Sequence, residues 1–163
     1  MNENEYEREL RVRKIKDGTV IDHIPAGKAL AVMKILGLTG KEGNTISIVM
    51  NVGSKKLGKK DVLKIEKKEL RSKEVNAIAL IAPSATINII RDYKVVRKYK
   101  VRVPKEITKV IHCSNPACIT NYREPTIPKF KVIKTNPLIL KCMYCGRYTL
   151  EDDVIKQFEV STA

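Results

Sequence analysis

Apolar and charged residues alternate in several segments of the chain, and this period of two indicates half-buried strands. Other segments are rich in β-branched residues, which also favour strands. The segments predicted to be strands are residues 8–14, 19–24, 44–52, 61–68, 85–92 and 93–103. Lys-Asp-Gly at residues 16–18 separates the first two, and its Asp-Gly pair suits the tight turn of a hairpin.

Two segments between these strands carry apolar residues every three or four positions, which predicts amphipathic helices that pack on a core. Gly37 follows the first segment, at a point where helices often need a left-handed residue. We expect Ser72 to cap the second helix, Glu74 to support its first turn and Pro83 to stop it. The two apolar stripes are Ala29, Val32, Met33 and Leu36, and Val75, Ile78, Ala79 and Ala82.

The order strand-strand-helix-strand-strand-helix-strand predicts an α+β fold. It resembles a ferredoxin-like layout, with a mainly antiparallel sheet and two helices on one face. Residues 103–107 look like a boundary, because four prolines and all four cysteines lie beyond them. We therefore predict one domain over residues 1–104 and a small β domain over residues 105–163. The short elements expected in the second domain are strands in 107–113, 130–135 and 138–142 and a last helix in 150–158.

The length of 163 residues allows one domain of ordinary size or two small ones, and 43% hydrophobic residues are enough for a packed core. No apolar run is long enough to span a bilayer, so we expect no membrane partner. The first ten residues are polar and acidic, unlike a secretory signal, and this predicts a cytoplasmic protein. The formal net charge is +14, and residues 1–104 contain 23 Lys and Arg against 12 Asp and Glu. Such an excess indicates an anionic partner, which could be a nucleotide, a nucleic acid or an acidic protein surface.

The four cysteines form two close pairs. Cys113 and Cys118 are separated by four residues, Cys142 and Cys145 by two, and 23 residues lie between the pairs. Two short pairs joined by a longer loop are typical of a zinc site with four thiolate ligands. Such a closed site leaves no position for a water molecule. We therefore expect one structural zinc ion per chain, which stabilises a domain too small to bury a large core.

Other uses of the thiols remain open at this stage. Two disulfides would require an oxidising compartment, and nothing in the sequence directs the chain to one. A redox pair at Cys142 and Cys145 would require a βαβ context and would leave two cysteines unexplained. A Cys113 nucleophile next to His112 is unfavourable, because adjacent residues of a strand point to opposite faces. His112 could also replace one cysteine as a ligand.

Common catalytic motifs are absent from the sequence, which has no G-x-S-x-G, no P-loop and no G-x-G-x-x-G. Asp22 and His23 are adjacent at the end of a predicted strand, and lysines near residues 59–68 and 93–100 could hold phosphates. The residues alone thus predict a non-catalytic, zinc-stabilised protein that binds an anion. The alternative is a basic zinc-ribbon nucleic-acid-binding protein of the ribosomal or transcription-associated kind.

Four segments, in this order, resemble the regulatory chain of aspartate carbamoyltransferase. They are GTVIDHIPAGKAL (18–30), LGKKDVLKIE (57–66), LIAPSATINIIRDYKVVRK (80–98) and the cysteine pairs with LKCMYC (140–145). The resemblance covers roughly residues 10–158. Four ordered segments at compatible distances are far more specific than any one of them.

The resemblance implies a two-domain regulatory subunit that has no catalytic activity of its own. Its first domain would bind nucleotide effectors, with CTP as inhibitor, ATP as activator and UTP acting together with CTP. Its zinc domain would dock onto the catalytic chain in a dodecamer of two catalytic trimers and three regulatory dimers. The resemblance implies neither a nucleic-acid partner nor a membrane.

Matched position by position, the resemblance assigns Cys113, Cys118, Cys142 and Cys145 to zinc. It assigns to the effector site Val12, Ile15, Asp22, His23, Lys64, Asn88, Ile90, Tyr93, Val95 and Lys98. Lys98 and the pair Asp22–His23 match positions that meet phosphate and ribose. Lys64 matches a lysine that meets the ribose and base. The backbone is expected to read the base edge at Ile15, Tyr93 and Val95.

Three positions depart from the family pattern. Glu9 stands where the family has a lysine, Arg13 where it has an acidic residue, and Arg97 where it has a small one. The change at Glu9 removes a phosphate or metal-site contact and bears on the synergy of UTP with CTP. Arg11, Arg13 and Arg97 are the candidates to compensate for this loss.

Overall fold

The computed structural model of the chain describes residues 14–122 and 126–158. The strand predicted for residues 8–14 lies outside these ranges except for Lys14, which is not in a strand. In chain order, the described elements are β1 (Gly18–Pro25), α1 (Ala29–Ile35), β2 (Ile46–Ser54), β3 (Gly58–Glu66), α2 (Ser72–Ile81), β4 (Thr86–Arg91), β5 (Lys94–Lys100), β6 (Glu106–Thr108), β7 (Lys129–Thr135), β8 (Leu138–Cys142), β9 (Tyr148–Leu150) and α3 (Glu151–Gln157).

The first sheet has the strand order β2-β3-β1-β4-β5, and each neighbouring pair is antiparallel. The four strands from β1 to β4, with α1 and α2 between them, form the ferredoxin-like arrangement that the sequence predicts. A two-residue turn then adds β5 at the edge of the sheet next to β4. The predicted fold class is therefore confirmed.

One face of this sheet packs against the two helices. Ile21 lies opposite Leu63 on β3 and Ile87 on β4, and all three side chains are 0% exposed. They share one buried cluster with Val32 of α1 and Ile78 of α2. Burying aliphatic side chains on both layers stabilises the sandwich, at about 25 cal/mol for each Å² of apolar surface removed from water.

Asp61 of β3 is a polar residue inside this core, with 0% exposure. Its Oδ2 accepts hydrogen bonds from the backbone N–H groups of Gly27 at 2.9 Å and Ala29 at 3.0 Å. Its Oδ1 accepts a third from the N–H of Asn51 at 2.9 Å. The carboxylate thus satisfies amides at the start of α1 and at the irregularity in the pairing of β2 with β3.

The ends of the helices follow the sequence signals in all but one case. Gly37 has a φ of +65°, and the N–H of Leu38 reaches back to the carbonyl of Met33 at 3.0 Å, which closes α1 as predicted. Ser72 was expected to cap α2, but it is the first helical residue and Arg71 occupies the capping position. This places Glu74 where its Oε2 accepts the Arg71 N–H at 2.8 Å, a contact that replaces the serine cap.

The second sheet has the order β6-β7-β8-β9, again antiparallel, and α3 follows it. The strand predicted for residues 107–113 is wrong beyond Thr108, because the chain there leaves the sheet to form the first cysteine loop. The three-residue β9 is too short to be predicted from alternation. The predicted last helix is confirmed as α3.

The two sheets share a continuous buried cluster in which α3 contacts both α1 and α2. Val154 of α3 is 0% exposed at this junction. Within the described residues, we find no helix that combines the length and the apolar character needed to cross a membrane.

Candidate functional site

The four cysteine sulfur atoms come together at one end of the second sheet, all within 4.8 Å of one another. Cys113 and Cys118 lie in the loop after β6, Cys142 ends β8, and Cys145 lies in the turn before β9. Three of the four residues are buried and Cys145 is exposed. Residues far apart in sequence thus form one compact cluster of sulfur atoms, as the spacing predicts.

Each cysteine pair is held by its own tight turn. In the first, the N–H of Cys118 donates to the carbonyl of Asn115 at 3.0 Å, and the Asn115 side chain accepts the N–H of Ala117 at 3.0 Å. In the second, Gly146 has a φ of +76° and its N–H donates to the carbonyl of Cys142 at 3.0 Å. A glycine accommodates this left-handed conformation at the point where the backbone bends back.

The sulfur distances fit a metal ion and not disulfides. The Sγ atoms of Cys113 and Cys145 are 3.6 Å apart, and those of Cys118 and Cys142 are 3.7 Å apart. A disulfide requires about 2.05 Å. Four thiolates arranged tetrahedrally about 2.3 Å from a zinc ion would be about 3.8 Å apart. The close sulfurs also come from different pairs, so the site is a four-sulfur cage and not a redox pair.

Burial and hydrogen bonds give the thiols different pKa values. Burial raises the pKa of Cys113 to about 12, while a hydrogen bond from the backbone of Arg147 lowers the pKa of Cys145 to about 6. The N–H of Asn115 approaches the Cys113 sulfur at 3.5 Å, and the Thr120 hydroxyl lies 3.2 Å from the Cys118 sulfur. Such contacts stabilise thiolate charge, which a bound metal ion requires.

His112 does not join the sulfur cluster. Its backbone instead pairs with the side chain of Gln157, since the His112 N–H donates to Oε1 at 2.7 Å and Nε2 donates to the His112 carbonyl at 2.8 Å. This pairing ties the last turn of α3 to the segment that leads into Cys113. The alternatives that gave His112 a role as ligand or general base are therefore not supported.

A second cluster lies on the first sheet. Lys64, Val20, Asn88 and Lys98 are directly opposite one another on β3, β1, β4 and β5, so they form one row across four strands. The residues next to them point into the helix-covered core, and side chains alternate along a strand. The row therefore projects from the opposite surface, which we call the outer face.

Asp22 and His23 extend this cluster along β1. The Asp22 carboxylate accepts a hydrogen bond from the backbone of His23 at 2.6 Å and forms an ion pair with Lys60 at 2.8 Å. His23 has a φ of +55°, and the Ser84 hydroxyl donates to its carbonyl at 2.7 Å. Its Nδ1 lies 3.4 Å from the Thr86 hydroxyl. An irregularity in the pairing of β1 with β3, between Ile21 and Ile24, therefore sets the orientation of Asp22 and His23.

The charges around His23 favour an anion. Burial lowers the pKa of His23; Asp22 opposes this shift, while Lys60, Lys56 and Lys98 add to it. The imidazole is therefore mostly uncharged at neutral pH. Burial alone would raise the pKa of Asp22, but contacts with Lys60 and His23 outweigh it and lower that pKa. One carboxylate thus faces several ammonium groups.

Lys64 lies at the β3 end of the row and is 7% exposed. Burial lowers its pKa, and the charge of Asp22 partly offsets this shift. Asn88 lies on the other side of Val20 in the row, and its Nδ2 donates to the carbonyl of Val20 at 3.4 Å. The Asn88 side chain therefore adds a polar amide group to the outer face.

The opposite end of the cluster is apolar. Ile90 pairs with Val95 between β4 and β5, and the two-residue turn that joins these strands includes Tyr93, with a φ of +64°. The N–H of Tyr93 donates to the carbonyl of Lys16 at 2.9 Å, which brings the buried Ile15 to this end of the sheet. Tyr93 and Val95 are 57% and 55% exposed, so they offer an accessible apolar surface.

Nine of the ten residues that the resemblance assigns to an effector site therefore lie on or beside one surface. Val12 lies outside the described residues, as do Glu9, Arg11 and Arg13. Arg97 stacks over the ring of Tyr99 at 5.0 Å and alternates with Lys98 along β5. Its side chain projects from the opposite side of the sheet from that of Lys98.

Sequence reasoning missed two members of this surface as individual residues, Lys60 and Thr86. Lys60 has the same alternation as Lys64, so its side of the strand could have been deduced. Its contact with Asp22 could not, because the contact depends on the irregularity between β1 and β3.

Comparisons with known proteins bear on both clusters. Residues 10–102 match the sequence model of the aspartate carbamoyltransferase regulatory chain, allosteric domain, and residues 105–155 match that of its metal binding domain. This chain belongs to the family of aspartate carbamoyltransferase regulatory chains. A member of that family is the non-catalytic subunit of the enzyme and has the catalytic chain as its partner.

Individual relatives are similar in sequence to this chain over nearly its full length. The regulatory chain of Hyperthermus butylicus is 56% identical over 149 residues, which is 91% of this chain and 93% of the relative. That of Methanothrix thermoacetophila is 60% identical over 141 residues, 86% of this chain and 92% of the relative. That of Pyrobaculum islandicum is 59% identical over 149 residues, 91% and 99% of the two chains. The regulatory chain described here is thus similar to them across both clusters.

Proposed function

We propose that this regulatory chain binds CTP, ATP and UTP on the outer face of its first sheet and transmits their effect to the catalytic chain. The observation that carries the proposal is the row of Lys64, Asn88 and Lys98 across the strands. Along the strands, Asp22–His23 lies on one side of this row and an apolar patch on the other. Lysines suit phosphates, an amide suits polar groups of ribose or base, and the apolar end suits the base.

The size of the surface supports a nucleotide. Along β1, the surface runs from its apolar end at Gly18, through the row at Val20, to its charged end at Asp22. Four residues of extended strand span about 13 Å. We propose that the phosphates lie toward Lys98 and Asp22–His23, and that the backbone near Ile15 reads the base edge. In this proposal CTP inhibits, ATP activates and UTP acts with CTP.

For the second cluster we propose zinc, one ion per chain, held by Cys113, Cys118, Cys142 and Cys145. Four sulfur ligands and tetrahedral spacing favour zinc over the harder cations. When bound, the ion supplies folding energy and no reactive site. The division into a domain over 1–104 and a zinc domain over 105–163 is part of the proposal, as is a cytoplasmic location.

We place the docking surface for the catalytic chain on the zinc domain. Large apolar side chains are exposed there although the domain is small, and exposed patches of this kind mark interaction sites. They include Ile119, Tyr122, Ile133, Met143, Tyr144 and Tyr148, each between 47% and 61% exposed. The proposed assembly has two catalytic trimers and three regulatory dimers.

Regulation of this kind requires that a nucleotide binds the two states of the assembly with different affinity. A coupling free energy of about 1–3 kcal/mol is typical and changes affinity by about 5–150-fold. The zinc domain contributes by being a firm connector between the sheet that binds the nucleotide and the partner chain.

The test is nucleotide titration of the purified regulatory chain by calorimetry, followed by catalytic assays of the reconstituted complex. Lys64→Ala and Lys98→Ala should each weaken CTP and ATP binding by about tenfold, as expected for loss of one charged contact. Lys73→Ala is the matched control, because Lys73 is an exposed lysine of α2, away from the outer face. Unchanged CTP and ATP binding in both variants would show that the nucleotide site is elsewhere.

A further inference from the structure

Lys28 connects the two halves of the described structure. It directly precedes α1, and its Nζ lies 2.7 Å from Oε1 of Glu151, the first residue of α3. The same Nζ donates to the carbonyl of Ile81, the last residue of α2, at 3.4 Å. One ammonium group thus contacts the ends of two helices and lies at the start of a third, across 123 positions in sequence between Lys28 and Glu151.

The ion pair is shielded from water. The side chains of Lys28 and Glu151 are only 22% and 18% exposed. An exposed surface pair contributes little, because solvent and salt screen its charges. A partly buried pair is screened less, and removing one partner leaves the other charge poorly solvated. The contact at this junction is therefore more specific than a surface salt bridge.

The rest of the junction around this ion pair is apolar. It is built from aliphatic side chains of the shared core, including Val32, Ile35 and Val154. Apolar contacts are not directional, so burial of these side chains does not by itself specify one placement of the helices. A hydrogen-bonded ion pair requires one geometry. It can therefore select one placement of α3 against α1 and α2.

We propose that Lys28 and Glu151 are positioning residues that fix the orientation of the zinc domain relative to the nucleotide-binding sheet. Through this contact, the state of the outer face determines how the zinc domain is presented to the catalytic chain. The inference rests on the proposed function, since it concerns how a nucleotide signal leaves the first sheet. Among the described residues, Lys28 and Glu151 pair with each other and Lys28 with Ile81, and these contacts include no residue assigned to the nucleotide surface or the sulfur cluster.

The test uses three variants in the reconstituted complex. Lys28→Met keeps the length of the side chain but removes its charge, Glu151→Gln keeps its shape, and a third variant combines both changes. Lys73→Met is the matched control for Lys28→Met. The measurements are nucleotide affinity, zinc content, thermal unfolding and the change in catalytic activity caused by saturating CTP or ATP.

We expect each single variant to reduce the nucleotide-induced change in activity by about fivefold or more, with nucleotide affinity of the isolated chain and zinc content within twofold of wild type. The double variant should be no worse than the worse single one, because both changes remove the same contact. Lys73→Met should respond like wild type.

Three outcomes would overturn the proposal. The first is a full nucleotide response in Lys28→Met and Glu151→Gln. The second is strictly additive losses in the double variant, which would show that the two residues act separately. The third is loss of folding or zinc in both single variants, which would show a purely structural role. If the wild-type complex itself binds nucleotides without any change in activity, the proposed function fails instead, and the two failures are distinct.

Discussion

Replacing Asp61 by alanine should destabilise the chain more than any surface substitution. The carboxylate is 0% exposed and accepts three backbone N–H groups, from Gly27, Ala29 and Asn51, at 2.9 to 3.0 Å. Its removal leaves three buried donors without a partner, at about 1–3 kcal/mol each. Partial entry of water reduces the sum, so we expect a loss of about 3–6 kcal/mol. This is a large part of the roughly 5–15 kcal/mol that stabilises an ordinary domain.

Asp61→Asn keeps the shape of the side chain and changes only its capacity to accept hydrogen bonds. The amide oxygen can still accept the N–H groups of Gly27 and Ala29, but its NH2 group would face the N–H of Asn51, so we expect a loss of about 1–3 kcal/mol. The order wild type, Asp61→Asn, Asp61→Ala should therefore hold. Asp152→Asn, at an exposed position of α3, is the matched control and should change little.

The measurement is urea unfolding followed by far-ultraviolet circular dichroism, because the chain has no tryptophan. Saturating zinc should be present, so that the metal domain does not unfold separately. With a slope of about 2 kcal/mol per molar urea, Asp61→Ala should lower the midpoint by roughly 1.5–3 M. A midpoint within 0.5 M of wild type, on the order of 1 kcal/mol, would refute the reasoning that these three amides depend on Asp61.

Three further predictions concern other parts of the chain. Gly18→Ala should destabilise the chain by about 3 kcal/mol or more in the same unfolding assay. Gly18 has a φ of +147°, and an added Cβ would lie 2.1 Å from the carbonyl oxygen of Ile65. Gly40→Ala is the control and should cost less, because there is open space around Gly40. Cys118→Ser should reduce zinc from about one ion per chain to well below that in elemental analysis and lower the melting temperature, and a full zinc content would argue against the sulfur cage. Burial would raise the pKa of Glu74, but hydrogen bonds from Arg71 and Lys68 outweigh burial and lower that pKa. The ionised Glu74 carboxylate therefore stabilises the fold above pH 4.5, and this contribution is lost as the pH falls through the folded-state pKa of Glu74. Glu74→Gln should therefore flatten the acid limb of a stability-against-pH curve, and an unchanged limb would contradict this assignment.

Local sequence signals predicted the elements that depend on local physics. The stripe of Val32 and Leu36 and the glycine after it predicted α1, and the β-branched segments predicted β1 to β5, because helix and strand periods are properties of neighbouring residues. The spacing of the cysteines predicted the sulfur cluster, because two short pairs joined by a longer loop are typical of a metal site with four thiolate ligands. The order of the strands in the sheet rested on analogy with a known layout.

Contacts that depend on the assembled sheet could not be predicted. Asp61 reads as an ordinary charged residue at the start of a strand, and only the fold shows that it lies among backbone amides. The partnership of Lys28 with Glu151 likewise joins residues without any shared local pattern. Ser72 was predicted to cap α2 from residue type alone. In the structure Arg71 is the capping residue, because the Glu74 carboxylate accepts the backbone N–H of Arg71.

The row of Lys64, Val20, Asn88 and Lys98 is defined by how four strands are aligned. A shift of β3 by one residue would replace Lys64 with Leu63 on the outer face and place a charge in the core, because successive side chains alternate. The surface should therefore tolerate changes in the length of the loop between α1 and β2, but no insertion within the strands. For a protein engineer, the loops are places to graft new segments, whereas the alignment of the strands determines which side chains the outer face presents.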